Sequence, residues 1–422
     1  MKYFIHTTGC KANQWDSYII STKLKSEGLT PCPMLHADVV IINACTLTVG
    51  AERDIRKFIN RCRDVNGMAK IVLAGCHAQA YPDQTFGADV VLGHEEKFNI
   101  EEFMDRRGSF VKKGRMFSLE ETIVKNLPAG KTRFFFKIQD GCDKFCSYCV
   151  VPYARGMPRS RPVGEIIETL KLLKEKGVGE VVLTGIEIAS YNDPISRNDL
   201  KGLLMLLDKT ETPDRIRISS IDPLYIDDGF IEIIANSQKI ANSLHIPVQS
   251  GSNPVLERMG RRYNQAYIKN VLEKIKSRIK EIGIGVDVIA GFPGEDEEAY
   301  DETYRFLESA DIYYFHIFPF SARKGTPAFS MENSVPESIK KQRVRKLKIL
   351  DMTKRASFYR RFFGRELWII AETKVYRGLY MRGYTGNYIP VYIPYQKNLE
   401  NKLVKVKIMG MQDGLLLGAV NR

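Results

Sequence analysis

Short apolar runs of strand length, separated by stretches with helical spacing, recur through most of this 422-residue chain. "KYFIHTT" (2–8), "ADVVIINA" (37–44), "AKIVLAG" (69–75) and "ADVVLG" (88–93) form a first set, with helical patterns such as "SYIISTKLKSEG" between them. Continuous apolar runs suit strands buried on both faces, and their alternation with helices predicts an open parallel α/β sheet over residues 1–112. After the loop "SLEETIVKNLPAGKT" come "FFFKIQ", "EVVLTG", "RIRISS", "SLHIPVQ", "GVDVIAG" and "YYFHIFPF", most followed by amphipathic patterns such as "VGEIIETLKLLKEKG". Six βα units are too few for a closed eight-stranded barrel and predict an incomplete (β/α)6 barrel within residues 128–358. From 361 to 422 helical spacing gives way to alternating runs such as "ELWIIAET" and "LVKVKIMGMQDG", which predict a small all-β barrel.

Cysteine placement adds chemistry to this frame. Cys10, Cys45 and Cys76 each fall just past the end of a front-domain strand, where ligands gather in open α/β sheets. Three residues far apart in sequence are therefore expected at one sheet edge. Cys32 and Cys62 lack such placement and read as buried apolar thiols. A second set, Cys142, Cys146 and Cys149, lies in "IQDGCDKFCSYCVVPYARG" and leaves the first barrel strand at the end where barrel chemistry sits. Four thiolates saturate a tetrahedral zinc or a cubic iron-sulphur cluster, whereas three leave one metal open. Zinc held by three cysteines and His77 is the competing reading, and none of the six histidines is close to the 142–149 loop.

Composition narrows the setting. A hydrophobic fraction of 44% without low-complexity tracts is that of a folded protein. No apolar run reaches the roughly 18 residues of a membrane span, and "MKYFIHTTGC" lacks the pattern of a secretory signal, so a cytoplasmic location with reduced thiols is expected. Eight cysteines there point to metal or catalysis rather than disulfides, and a net charge of +13 makes RNA a fitting partner.

Read together, "TTGCKANQWDS", "INACTLT", "LAGCHAQ", "DGCDKFCSYCVVPYARGMPRSRP", "LTGIEIASY", "LHIPVQSGSNPVLERMGRRY" and "DVIAGFPGE" resemble the radical S-adenosylmethionine methylthiotransferases over essentially the whole chain. "GCHAQ", "FCSYC", "PYARG" and "SSIDP" resemble most the branch acting on N6-threonylcarbamoyladenosine at position 37 of tRNA; the isopentenyladenosine branch and the branch modifying a ribosomal-protein aspartate are similar overall. The resemblance implies two 4Fe-4S clusters and S-adenosylmethionine: Cys142, Cys146 and Cys149 would hold the radical-generating cluster, and Cys10, Cys45 and Cys76 a second one that carries the sulphur. It also implies a reducing electron donor, the anticodon stem-loop as partner, and a TRAM-like end domain. A non-catalytic iron-sulphur or zinc RNA-binding protein is the alternative from another class.

Around the clusters, Ser220, Gln249 and Asp287 sit at strand ends suited to the ribose or methionyl carboxylate of S-adenosylmethionine, "LTGIE" offers backbone groups at Thr184 and Gly185, and Tyr148 is placed to pack against adenine. Helix capping is the plainer role for the polar strand ends. Asn13 and Asn43 stand beside front-domain cysteines, where contact with cluster sulphides or ordinary turn formation both fit. Arg155, Arg159 and Arg161 follow the cysteine loop, where two-pronged contact with phosphate or with the substrate carboxylate is expected of at least one. Ten basic residues against the single acid Asp351 mark 340–361 as a helix facing an RNA backbone. Tyr376, Tyr380, Tyr384 and Tyr388, interleaved with Arg377 and Arg382, suit base stacking and phosphate contact.

Overall fold

A computed structural model describes residues 1–46, 48–120 and 131–420. The expected start of the barrel domain at 128, and most of the preceding loop, lie outside the described residues.

Six parallel strands form the front sheet: β1 (Lys2–Thr7), β2 (Thr30–Pro31), β3 (Val39–Ala44), β4 (Lys70–Gly75), β5 (Val90–Leu92) and β6 (Gly108–Phe110), in the order β2-β1-β3-β4-β5-β6. β3 is buried along its whole length, as an unbroken Val-Val-Ile-Ile run between two neighbours requires. Helices α1 (Lys11–Ser26), α2 (Val49–Val65) and α3 (Cys76–Ala80) leave the carboxyl ends of β1, β3 and β4. At the β1 turn Gly9 has φ +92°, and a side chain there would come within 2.4 Å of the Cys45 Cβ. Only glycine lets the β1 and β3 ends approach so closely.

The barrel strands are β7 (Arg133–Lys137), β10 (Glu180–Thr184), β11 (Arg215–Ile218), β12 (Ser243–Gln249), β13 (Gly283–Ala290) and β14 (Tyr314–Pro319), with a short ribbon of β8 (Gln139–Asp140) and β9 (Arg159–Ser160) pinning the two ends of the cysteine loop. β7-β10-β11 and β12-β13-β14 are parallel triplets, and the Ser220 to His245 bridge continues one into the other. This is the six-stranded open barrel the repeats predict. Helices α4 (Val151–Arg155), α5 (Val163–Glu175), α6 (Leu200–Asp208), α7 (Asp228–Asn236), α8 (Asn253–Arg258), α9 (Gln265–Arg278) and α10 (Glu297–Ser309) connect them. Asp199, Asp227, Asn264 and Asp296 cap α6, α7, α9 and α10 by accepting a backbone N–H near the start of each helix. The long α11 (Glu337–Arg360) then packs on β14.

Five strands, β15 (Glu366–Tyr376), β16 (Tyr380–Thr385), β17 (Pro390–Pro394), β18 (Leu403–Gln412) and β19 (Leu415–Val420), close into a small barrel in the order β15-β16-β17-β19-β18. Ile369, Met381, Val391, Ile393, Val406 and Ile408 fill it, and Phe358 and Phe362 at the end of α11 join its core. It sits beneath the larger barrel. Gly283, the first residue of β13, lies so close to Asn387 that an added Cβ would be 2.0 Å from its carbonyl oxygen. Among the described residues no helix is long and apolar enough to cross a membrane.

Candidate functional site

Cys10 precedes α1, Cys45 follows β3, and Cys76 opens α3 after β4, so one edge of the sheet carries all three thiols. Asn13 and Asn43 organise this edge by hydrogen bonds. Asn13 Nδ2 donates to the Thr8 carbonyl at 2.9 Å, Asn43 Nδ2 donates to the Asn13 carbonyl at 2.9 Å, and Asn13 Oδ1 is 3.8 Å from Cys76 Sγ. The 142–149 loop is held from both sides: the Cys142 N–H donates to the Gly156 carbonyl at 3.0 Å, and Ser147 Oγ donates to the Arg258 carbonyl at 2.7 Å. Gly141, at φ +76°, begins the loop; a Cβ there would lie 2.0 Å from the Met157 carbonyl oxygen.

The two sets meet. Arg155, six residues beyond Cys149 at the end of α4, is fully buried and donates from Nε to Cys76 Sγ at 3.2 Å. Its other nitrogens reach Asn13 Oδ1, Asp16 and Asp140. On the opposite side of the loop's last cysteine, Thr48, Tyr148, Cys149, Gln249, Asp287, Ile289 and Phe318 line a cavity of about 240 Å³ between the front domain and the barrel. Gln249 is held at φ +68° where the β12–β13 register shifts. A second space of about 290 Å³ borders Cys146, with Lys144, Asp222 and Arg261 in its wall.

Metal fit follows from the donors. Burial pushes the Cys142 and Cys149 thiols up to about 12, so a metal must displace their protons. Among the described residues neither trio has its three sulphurs within 4.8 Å of one another. Zinc with bonds of about 2.3 Å would draw them to about 3.8 Å apart. The all-sulphur donor sets are of the kind that iron-sulphur clusters use. His77, the expected zinc competitor, is instead stacked on Phe86 and directed at Glu52 and Gln84.

Other site residues take different places. Thr184 is buried at the end of β10, and Gly185 packs on Gln139. Ser220 lies exposed beyond β11, while the hydroxyl of buried Ser219 has no partner among the described residues. Asp287 accepts from His245 Nε2 at 2.7 Å, with His316 Nδ1 at 3.4 Å. Burial opposes ionisation of Asp287, but the two imidazoles hold it well below the ordinary carboxylate range. The Tyr148 hydroxyl accepts from Arg261.

Of Arg155, Arg159 and Arg161, expected to supply at least one contact to phosphate or substrate, only Arg159 keeps partial exposure. Arg155 and Arg161 are out of solvent, and both serve a dry ionic seam between front sheet and barrel. Asp16 of α1 pairs with Lys97, Lys137 and Arg155; Asp140 pairs with Lys137, Arg155 and Arg159; Glu120 pairs with Lys137 and Arg161. Arg159 is also bonded to the Arg155 and Met157 carbonyls. These side chains are satisfied where they are, and a phosphate would have to break that network.

Two of the four tyrosines meet protein as well. Tyr384 and Tyr388 stack on each other at 4.9 Å and face Arg133 and Arg217 of the large barrel, so they serve the contact between barrels. Arg382 pairs with Glu372 between Tyr376 and Tyr384. Arg377 remains exposed, with one bond to the Asp413 carbonyl. On α11, Lys340 and Arg343 turn inward to Glu337 and Glu295, but Lys341, Arg345, Lys348 and Arg360 stay on the open face.

Sequence reading did not single out Glu187, Asp222, Lys144 and Arg261, although "LTGIE", "SSIDP" and "GRRY" contain three of them. Burial raises Glu187 to about 7, with Lys144 opposing and Asp222 adding to the rise. Lys144 Nζ is 3.1 Å from Asp222.

Residues 136–307 match the profile of the radical SAM superfamily, and residues 2–93 match that of uncharacterized protein family UPF0004. The threonylcarbamoyladenosine tRNA methylthiotransferase MtaB of Aquifex aeolicus is 38% identical over 97% of this chain and 100% of its own length; its namesake in Bacillus subtilis is 36% identical over 96% and 93%. The tRNA-2-methylthio-N(6)-dimethylallyladenosine synthase of Clostridium tetani is 32% identical over 82% and 80%. In fold, the radical S-adenosylmethionine methyltransferase TsrM of Kitasatospora setae superposes with a TM-score of 0.58 at 17% identity, covering 78% of this chain and 77% of that one. Cysteines at strand ends, a six-stranded barrel behind them and relatives matched nearly end to end place this chain in the radical S-adenosylmethionine methylthiotransferase family.

Proposed function

We propose that this enzyme methylthiolates carbon 2 of N6-threonylcarbamoyladenosine at position 37 of tRNA, in the cytoplasm, using S-adenosylmethionine and two 4Fe-4S clusters held by Cys142, Cys146 and Cys149 and by Cys10, Cys45 and Cys76. The observation that supports this reading is the packing of the two cysteine-bearing domains against each other, through the Arg155 contact to Cys76 and a cavity that takes Thr48 from one domain and Cys149, Gln249 and Asp287 from the other. When bound, these groups supply a 5′-deoxyadenosyl radical to remove the carbon 2 hydrogen and a methylated sulphur to replace it. The chain's own part is positional. Val150, Ile289, Phe318 and Phe320 give the cavity an apolar wall that keeps water from a reactive centre, while Gln249 and Asp287 offer polar atoms at its rim. Arg155 sets positive charge and one N–H against the Cys76 sulphur. The exposed basic face of α11 is suited to the RNA backbone.

The threonylcarbamoyl branch is favoured over the dimethylallyl branch by the higher identity of its Aquifex and Bacillus members, 38% and 36% against 32% for the Clostridium synthase. Cys45→Ala tests the two-cluster arrangement. S-adenosylmethionine cleavage is expected to continue while methylthio transfer stops and iron content falls by about half; transfer that persists refutes the assignment. Nucleoside and ribosomal-protein mass spectrometry of cells with and without the gene decides between adenosine and aspartate substrates.

A further inference from the structure

The substrate reading requires something to receive the carboxylate at the end of the threonylcarbamoyl arm. The arginines behind the cysteine loop are already engaged, and Arg133, Arg215 and Arg217, nearer the strand starts, are shared by Glu180. The wall of the cavity between the domains leads to a different side chain. Asp287 and Ile289 of β13 line that cavity together with Phe318 of β14. In the parallel register of these two strands Ile289 pairs with Phe318, and Asp287 pairs with His316. Side chains alternate along a strand and paired positions share a face, so His316 stands beside Asp287, one step deeper in the barrel than the Ile289 and Phe318 pair.

Distances agree with that placement. His316 Nδ1 is 3.4 Å from Asp287 Oδ1, and its ring lies 4.5 Å from that of His245 at an interplanar angle of 34°. Beneath this layer the Tyr314 ring crosses Gly285, where an added Cβ would be 1.9 Å from Tyr314 Cζ. The two imidazoles are placed differently. His245 is closed at both nitrogens, with Nε2 on Asp287 at 2.7 Å and Nδ1 on the Tyr314 hydroxyl at 3.1 Å. His316 has one nitrogen at Asp287, and among the described residues no hydrogen bond or ion pair reaches its Nε2. Its side chain is 53% exposed, against 10% for His245 and 19% for Asp287. A carboxylate that fixes one nitrogen of an imidazole also orients the other. The wall of the barrel therefore carries one aimed and open donor beside the cavity.

Resting on the substrate reading above, we propose that His316 receives the carboxylate of the threonylcarbamoyl group through Nε2, with Asp287 holding the ring from Nδ1, and so selects this nucleoside over one with an uncharged apolar arm. On adenine the bonds at carbon 2 and at N6 diverge, so a base that presents carbon 2 to the cysteine rim carries its N6 arm away from that rim. An imidazole donating from both nitrogens is cationic, and it stands between the two carboxylates. An apolar arm would instead strip water from Nε2 and leave it unpaired. His316 is thus the contact to substrate, and Asp287 is a positioning residue behind it.

The test is binding, measured apart from turnover. The full-length, anaerobically reconstituted protein is titrated with labelled anticodon stem-loops that carry threonylcarbamoyladenosine, its carboxyl methyl ester, or isopentenyladenosine. Wild type is expected to prefer the free acid over the ester by about tenfold or more, the size of a charge-assisted contact. His316→Phe keeps a ring in the stack but has no donor, so its acid binding should fall to the level of the ester. His316→Gln places an amide N–H near the position of Nε2 and should recover part of the preference. No acid preference in wild type, a preference that survives in His316→Phe, or equal weakening of acid and ester in that variant overturns the assignment while leaving the substrate reading intact. A wild-type protein that methylthiolates the isopentenyl stem-loop and not the threonylcarbamoyl one overturns both. The ester comparison in wild type needs no substitution, so a variant that fails to fold does not shield the proposal.

Discussion

Replacing Glu180 with Gln removes one charge from beneath the barrel, and the size of the effect follows from its surroundings. Glu180 is buried to 1% exposure against Arg133, Arg215 and Arg217. Two of these arginines also bind the C-terminal barrel: Arg215 donates to the Tyr384 carbonyl at 2.7 Å, and Arg217 to the Thr385 and Gly386 carbonyls at 3.1 and 3.0 Å. Burial alone would raise the carboxyl, but Arg217, Arg133 and Arg215 bring it from 4.5 down to about 2. At about 1.4 kcal/mol for each factor of ten, that difference contributes about 3 kcal/mol near neutral pH. Because the folded value lies below the unfolded one, the contribution is complete above 4.5 and is lost as pH falls toward 2. Urea unfolding of wild type and Glu180→Gln at several pH values isolates the term, without the ionic screening that guanidinium adds. A gap of about 3 kcal/mol at pH 7 that shrinks through pH 4 is expected. A gap below about 1 kcal/mol at pH 7, or one independent of pH, refutes the reasoning.

Three further outcomes are expected. Gly141→Ala forces a Cβ onto the Met157 carbonyl oxygen at a positive φ, so it should displace the cysteine loop and lower its iron content while the front-domain cluster stays loaded; separate spectroscopic quantitation of the two clusters checks this. Arg155→Lys keeps the charge but loses the Nε donor to Cys76, so the front cluster's reduction potential should fall, read by redox titration, because a donor to ligand sulphur stabilises the reduced form. Reversing Lys341, Arg345 and Lys348 to Glu removes cations from the exposed face of α11, and should weaken tRNA binding while flattening its dependence on salt, with S-adenosylmethionine cleavage unchanged.

The order of strands and helices was readable because each layer imposes its own period: buried parallel strands read as unbroken apolar runs, and the last barrel as alternation. Cysteines at three strand ends were readable for the same reason, since topology alone brings those ends together. What charged side chains meet was not. Arg155 and Lys137 look like solvent-facing residues until Asp16, more than a hundred positions earlier, is folded against them. Tyr384 and Tyr388 carry the composition of an RNA surface but spend it on Arg133 and Arg217, a contact between elements that share no local pattern.

The small barrel beneath the large one has a consequence for traffic. The first residues of β7, β10, β11 and β13 are covered by the segment 368–388, through Tyr384 on Arg133, the Arg215 and Arg217 bonds, and the Asn387 backbone on Gly283. With the small barrel seated against that end, the proposed reaction would be served from the rim that bears the cysteines.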